Sequence, residues 1–127
     1  MRTRSLPIVA ACALLLAVVA GCGDGPPSPP GGRVTTVDVQ MTGAKKFVPD
    51  SVTITVGDTV RWKNIDGAAQ HTATRKDDPA FDSGLLAQGE TFSFTFTKAS
   101  GASGFDYVCT PHASMGMKGV VIVQEAK

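Results

Sequence analysis

The residues with the most chemistry to offer lie close together in "CTPHASMGM", Cys109 to Met117. The whole chain of 127 residues has two histidines, three cysteines and four methionines, and this nonapeptide holds one, one and two of them. Cys109-Thr-Pro-His112 presents a thiol and an imidazole. Pro111 lacks an N–H and biases the residue before it away from helix, so Thr110 is expected to be extended and followed by a tight turn that aims both side chains at one point. Met117 stands five positions beyond His112, between Gly116 and Gly119, which free the chain to fold back and deliver a thioether to the same place. His71, the second histidine, follows the apolar alternation "TVRWKN" and the loop "IDGAAQ", which allows it to reach the same end of the domain from another strand. Two imidazoles, one thiolate and one thioether make up the donor set of a trigonal His₂Cys copper site with a weak axial sulfur. Zinc suits the set less well, because methionine is a poor ligand for it. Two other chemistries use the same residues. One is a copper carrier or store that hands on the ion itself; the other is a Cys-His hydrolase with Cys109 as nucleophile, for which the sequence offers no evident orienting third residue.

The elements that must position these side chains have a period of two. Val37, Val39 and Met41 form one alternating set, and Val52, Ile54 and Val56 another. In "TFSFTFT", Phe92, Phe94 and Phe96 face one way and Ser or Thr the other, and "TVRWKN", "FDYVC" and "KGVVIV" add three more apolar sets. Alternation of this kind marks strands with one buried face. Gly57-Asp58, Asp66-Gly67, Ser83-Gly84, Gln88-Gly89 and "KASGASG" separate the sets as turns do. Asp77, Asp78 and Asp82 read as loop acids, with Asp82 opening a turn at "DSG". No helix-length period is present. The prediction is all-β: a two-sheet antiparallel Greek-key β-sandwich of seven to eight strands.

The N-terminal part is of another kind. Arg2 and Arg4 precede an apolar run of 15 residues, Leu6 to Ala20. That is the pattern of a secretory signal, and it is shorter than the roughly 20 residues needed to span a bilayer. The run ends in "VVAGC", which resembles the lipobox of bacterial lipoproteins, so Cys22 is expected to be lipidated and to become the new N-terminus. "GDGPPSPPGG" then carries too much Pro and Gly to fold and reads as a spacer. The expected organisation is therefore a signal peptide over 1–21, a lipidated cysteine and linker over 22–33, and one domain over 34–127, held outside the cytoplasm on a bacterial membrane. With the signal removed, ten basic residues stand against eleven acidic ones, which gives no basis for nucleic-acid binding. Cys12 leaves with the signal and Cys22 is acylated, so Cys109 is left without an intrachain disulfide partner.

"HTAT", "FDSG", "TFSFTFT" and "CTPHASMGMKGVVIV" resemble the small blue-copper proteins, the cupredoxins, over nearly all of residues 34 to 125. The resemblance implies one type 1 copper held by His71, Cys109, His112 and Met117. Met117 is preferred to Met115 because its spacing of eight from Cys109 matches the plastocyanin and pseudoazurin pattern. It further implies a monomeric one-electron carrier, not an enzyme, that docks transiently with redox proteins near His112. Two departures stand out. Thr72 occupies the position after the first histidine, where many relatives have an Asn that ties the ligand loops together, and "KASGASGF" is longer and looser than the usual Pro-Gly turn.

Overall fold

The computed structural model describes residues 33–127, and nine strands and one short 3₁₀-helix account for its regular structure. The leader, Cys22 and most of the spacer lie outside the described residues. The strands are β1 (Thr36–Thr42), β2 (Lys46–Val48), β3 (Ser51–Thr55), β4 (Thr59–Asn64), β5 (Thr74–Arg75), β6 (Phe81–Asp82), β7 (Thr91–Thr95), β8 (Phe105–Val108) and β9 (Lys118–Gln124). One sheet has the order β2-β1-β4-β7 and the other β3-β9-β8-β5-β6. The two-sheet all-β architecture is the one predicted, with more strands, because β2, β5 and β6 are two or three residues long and too short to show an alternation.

Strand direction departs from the prediction. β1 and β4 pair in parallel, Thr36 opposite Thr59 through Met41 opposite Asn64, and β3 and β9 pair in parallel as well. The remaining ladders are antiparallel, so both sheets are mixed. The chain makes the β1–β2 hairpin, crosses to the opposite sheet for β3, and returns beside β1 as β4 with the same direction. Side-chain alternation is identical in parallel and antiparallel ladders, and so could not reveal this.

The core lies between the sheets. Val39 and Met41 of β1, Val60 and Trp62 of β4, Tyr107 of β8 and Val121 and Val123 of β9 are all buried. The Phe81 ring lies 5.3 Å from Trp62 and 4.9 Å from Phe94, and Phe92 stacks on Trp62 at 5.9 Å. The phenylalanine stripe of β7 thus turns inward as expected. Gly119 sits opposite Tyr107, and a Cβ there would come within 2.4 Å of the phenol oxygen. Its role is to admit that ring rather than to turn the chain; Gly116, with φ 80°, is the glycine that turns it. The "KASGASG" loop is less loose than predicted, since the Ser100 N–H donates to the Val123 carbonyl and the Val123 N–H donates to Ser100 Oγ, both at 2.9 Å.

Candidate metal centre

Three predicted donors meet at one end of the sandwich: the ligand atoms of His71, Cys109 and His112 all lie within 4.8 Å of one another. Cys109 follows β8 directly and is fully buried. Thr110 is not extended as expected. The extended residue is Cys109, with φ −87° and ψ 113°, and Thr110 opens the 3₁₀-helix Thr110–Met115 that carries His112. The His112 N–H donates back to the Cys109 carbonyl at 3.1 Å, and Gly116 closes the turn in the left-handed region. The chain then returns to where it started: Cys109 N–H donates to the Met117 carbonyl at 3.0 Å and Met117 N–H to the His112 carbonyl at 3.3 Å. Met117 is therefore buried beside the cysteine, whereas Met115 is 64% exposed.

His71 arrives from the other side. It exchanges two backbone hydrogen bonds with Leu86, and the loop before it is held by Asn64, whose buried amide donates to the carbonyls of Ala69 and Leu86 at 2.9 and 2.7 Å. Thr72, one residue on, does the work expected of the missing Asn. Its hydroxyl accepts from the Thr110 N–H at 2.9 Å and from Thr74 Oγ1 at 3.0 Å, which leaves its own proton for Thr110 Oγ1, 3.0 Å away. The Thr72 N–H also points at Cys109 Sγ, 3.4 Å away. The two ligand loops are thus joined by three contacts from a single threonine.

The donor geometry fits one small ion. His71 Nδ1 and His112 Nδ1 are 3.1 Å apart, and Cys109 Sγ lies 3.6 and 3.3 Å from them respectively. Ligand bonds of about 2.0–2.3 Å would space three trigonal donors roughly 3.5 Å apart. On its far side, His71 Nε2 lies 2.9 Å from Asp66 Oδ2. An ionised carboxylate there accepts a hydrogen bond from Nε2–H and leaves the Nδ1 lone pair facing the other donors. Asp66 also accepts from Lys45 Nζ and from the Ala68 N–H, each at 2.8 Å, and these bonds hold its carboxyl far below the usual carboxylate range. Burial, followed by the His71 ring and the Lys45 charge, pushes His112 down and favours its neutral form, which has a lone pair to offer.

Sequence reasoning missed Asp66, Lys45 and Asn64 as parts of this site. Asp66 was legible only as half of a turn signal; a carboxylate five positions ahead of a candidate ligand was the clue available. Asp77 and Asp78 are exposed loop acids as predicted, whereas Asp82, also exposed, ends β6, and its Oδ1 accepts the Gly84 N–H at 2.9 Å to open the turn that follows.

A two-sheet sandwich with two imidazoles and one thiol converging at its end defines a single-ion metal protein of the blue-copper class. Residues 34–124 match the sequence model of the copper-binding proteins of the plastocyanin/azurin family, and the chain belongs to that family. It is 35% identical over 92 residues to plastocyanin of Scenedesmus fuscus, covering 65% of this chain and 91% of that one. It is 38% identical over 93 residues to halocyanin of Natronomonas pharaonis, with 68% and 55% covered. It is 33% identical over 82 residues to amicyanin of Paracoccus versutus, with 62% and 58% covered. The chain therefore spans less than two thirds of the length of the halocyanin and amicyanin it matches. Among solved structures, a purple cupredoxin from Nitrosopumilus maritimus superimposes with a TM-score of 0.59 at 25% identity, over 69% of this chain and 99% of that one. A copper-containing nitrite reductase from Thermus scotoductus gives a TM-score of 0.61 at 32% identity, over 71% of this chain but only 22% of the enzyme.

Proposed function

We propose that this chain is a one-electron carrier with a type 1 copper site formed by His71 Nδ1, Cys109 Sγ, His112 Nδ1 and Met117 Sδ. The observation that carries this reading is the convergence of two imidazoles on a buried thiol inside a cage already held together by hydrogen bonds. Copper, when bound, supplies a Cu(II)/Cu(I) couple. The chain's task is to keep the donors still while the charge changes, and soft sulfur together with imidazole suits both states. Thr72, Thr110, Asn64 and Asp66 hold the two ligand loops from outside the donor set, so the donors do not rely on the ion for their arrangement. The expected result is a copper-loaded protein that is intensely blue when oxidised and cycles reversibly through one electron. A protein that binds copper without colour or reversible reduction would sink this reading, and rapid loss of copper to chelators would point to a carrier of the ion instead.

The hydrolase reading is weaker. Asp66 supplies the orienting third residue that the sequence did not reveal, but Cys109 is fully buried and its sulfur faces two imidazoles, leaving no approach for a substrate. Electrons instead have an exit at His112, which is half-buried and flanked by exposed Pro111, Ala113 and Met115. Exposed Ala68 lies on the loop leading to His71, and Leu85, 57% exposed, adjoins the residue that bridges to His71. This small apolar rim suits the brief encounters of redox partners.

The site works outside the cytoplasm, on a lipid anchor at Cys22. Stable attachment needs more than one acyl chain, which a lipoprotein cysteine provides. Cys22→Ser is expected to move the protein from the membrane fraction to the soluble one. Recovery of the unaltered protein in the soluble fraction, with a free Cys22 or Gly21 as its N-terminus, would refute the anchor.

A further inference from the structure

The contact that neither the donor set nor the fold requires is the one behind His71. The Asp66 side chain is only 4% exposed, and that of Lys45 is 22% exposed. One oxygen of Asp66 takes the Ala68 N–H, while the other takes Lys45 Nζ at 2.8 Å and faces His71 Nε2 at 2.9 Å. Stability does not explain this arrangement, because a buried ion pair roughly breaks even against a well-packed apolar replacement. Lys45 is also the one non-glycine residue with a positive φ, 58°, among the described residues. It sits in the β1–β2 turn, where its N–H donates to the Thr42 carbonyl at 3.0 Å. A non-glycine residue held in the left-handed region is a local cost, and such costs gather where side-chain placement matters.

We propose that Lys45 and Asp66 form a charged positioning pair for the metal centre: Asp66 holds His71 as its Nε2–H tautomer and biases the site toward the oxidised metal, and Lys45 moderates that bias. The inference rests on the copper reading above and adds to it the setting of the potential. The carboxylate stands one imidazole ring away from the donor atoms and is shielded from water, so its charge is screened far less than a surface charge would be. A hydrogen bond from Nε2–H to a carboxylate also makes Nδ1 a better donor, and both effects favour Cu(II). Lys45, bonded to the same oxygen, withdraws part of that negative charge. The two residues therefore act on the metal with opposite sign.

That opposition gives a test that a merely structural role would fail. Asp66→Asn keeps an oxygen to accept the Nε2 proton but removes the charge, and the reduction potential of the copper protein is expected to rise. Lys45→Met keeps the length of the side chain and removes the opposing charge, and the potential is expected to fall. Asp66→Leu removes the acceptor altogether and is expected to lower Cu(II) affinity about tenfold or more in chelator competition. In the metal-free protein, ¹H–¹⁵N spectra of the imidazoles should show His71 protonated at Nε2, a readout that needs no copper. Potentials that move in the same direction for Asp66→Asn and Lys45→Met, or a metal-free His71 protonated at Nδ1, would overturn the proposal. A wild-type protein that shows the Nε2–H tautomer but no blue colour would instead count against the copper electron-transfer reading, so the two failures are distinguishable. If Asp66→Asn does not fold, an unchanged or raised potential in Lys45→Met is enough to overturn the inference.

Discussion

Cys109→Ser is expected to give a folded protein that takes up copper weakly and shows no blue band. The band arises from charge transfer between thiolate and Cu(II), and no other residue in the described chain places a sulfur anion beside the two imidazoles. A serine hydroxyl is not deprotonated near neutral pH and is a poor ligand for a soft ion, so both colour and affinity should fall together. The fold should survive. The sulfur's near neighbours are His71, His112 and the Thr72 N–H, and a serine oxygen can still accept from that N–H. The aromatic core around Phe81 and Trp62 is built from other residues. The measurement is a visible spectrum set beside near-ultraviolet circular dichroism. A Cys109→Ser protein that stayed blue would mean that the thiolate has been assigned wrongly.

Met117→Leu should raise the reduction potential by about 59 mV or more, a tenfold shift of the Cu(II)/Cu(I) equilibrium, while the blue band survives. Met117 is fully buried and exchanges its backbone bonds with Cys109 and His112, which suits a weak axial donor. Removing a thioether that donates to the oxidised metal favours the reduced one. Leucine has nearly the same volume, so the substitution should cost less than about 1.5 kcal/mol of stability and leave the cage in place. Met115→Leu is the control. At 64% exposed on the rim beside His112, Met115 can change how a partner docks without changing the potential. A large shift for Met115→Leu with none for Met117→Leu would reassign the axial sulfur.

What could be read from the sequence was local. The "TFSFTFT" alternation gives the inward face of β7 because a strand's side-chain period depends only on its own backbone. The donors stood out because both histidines, and the one cysteine of the domain, fall at the ends of apolar sets. Short elements escaped for the same reason: β5 and β6, two residues each, carry no period to detect, and the 3₁₀-helix at Thr110 runs against the usual effect of the proline that follows it.

The chain by itself determined an all-β sandwich and a set of two imidazoles, a thiol and a thioether, since hydrophobic alternation and residue chemistry are properties of the residues themselves. Only the tertiary structure decided what surrounds those donors. The parallel pairing of β1 with β4 follows from the crossing of the chain between sheets, which leaves no mark on alternation. The Thr72–Thr110 tie spans 38 positions, and the Lys45–Asp66 pair spans 21. Threonine, lysine and aspartate occur on every protein surface, so their types carry no signal of such roles. Their partners are set when the β1–β2 turn and the two ligand loops are brought to the same end of the sandwich, where burial raises the strength of every charge and hydrogen bond around His71.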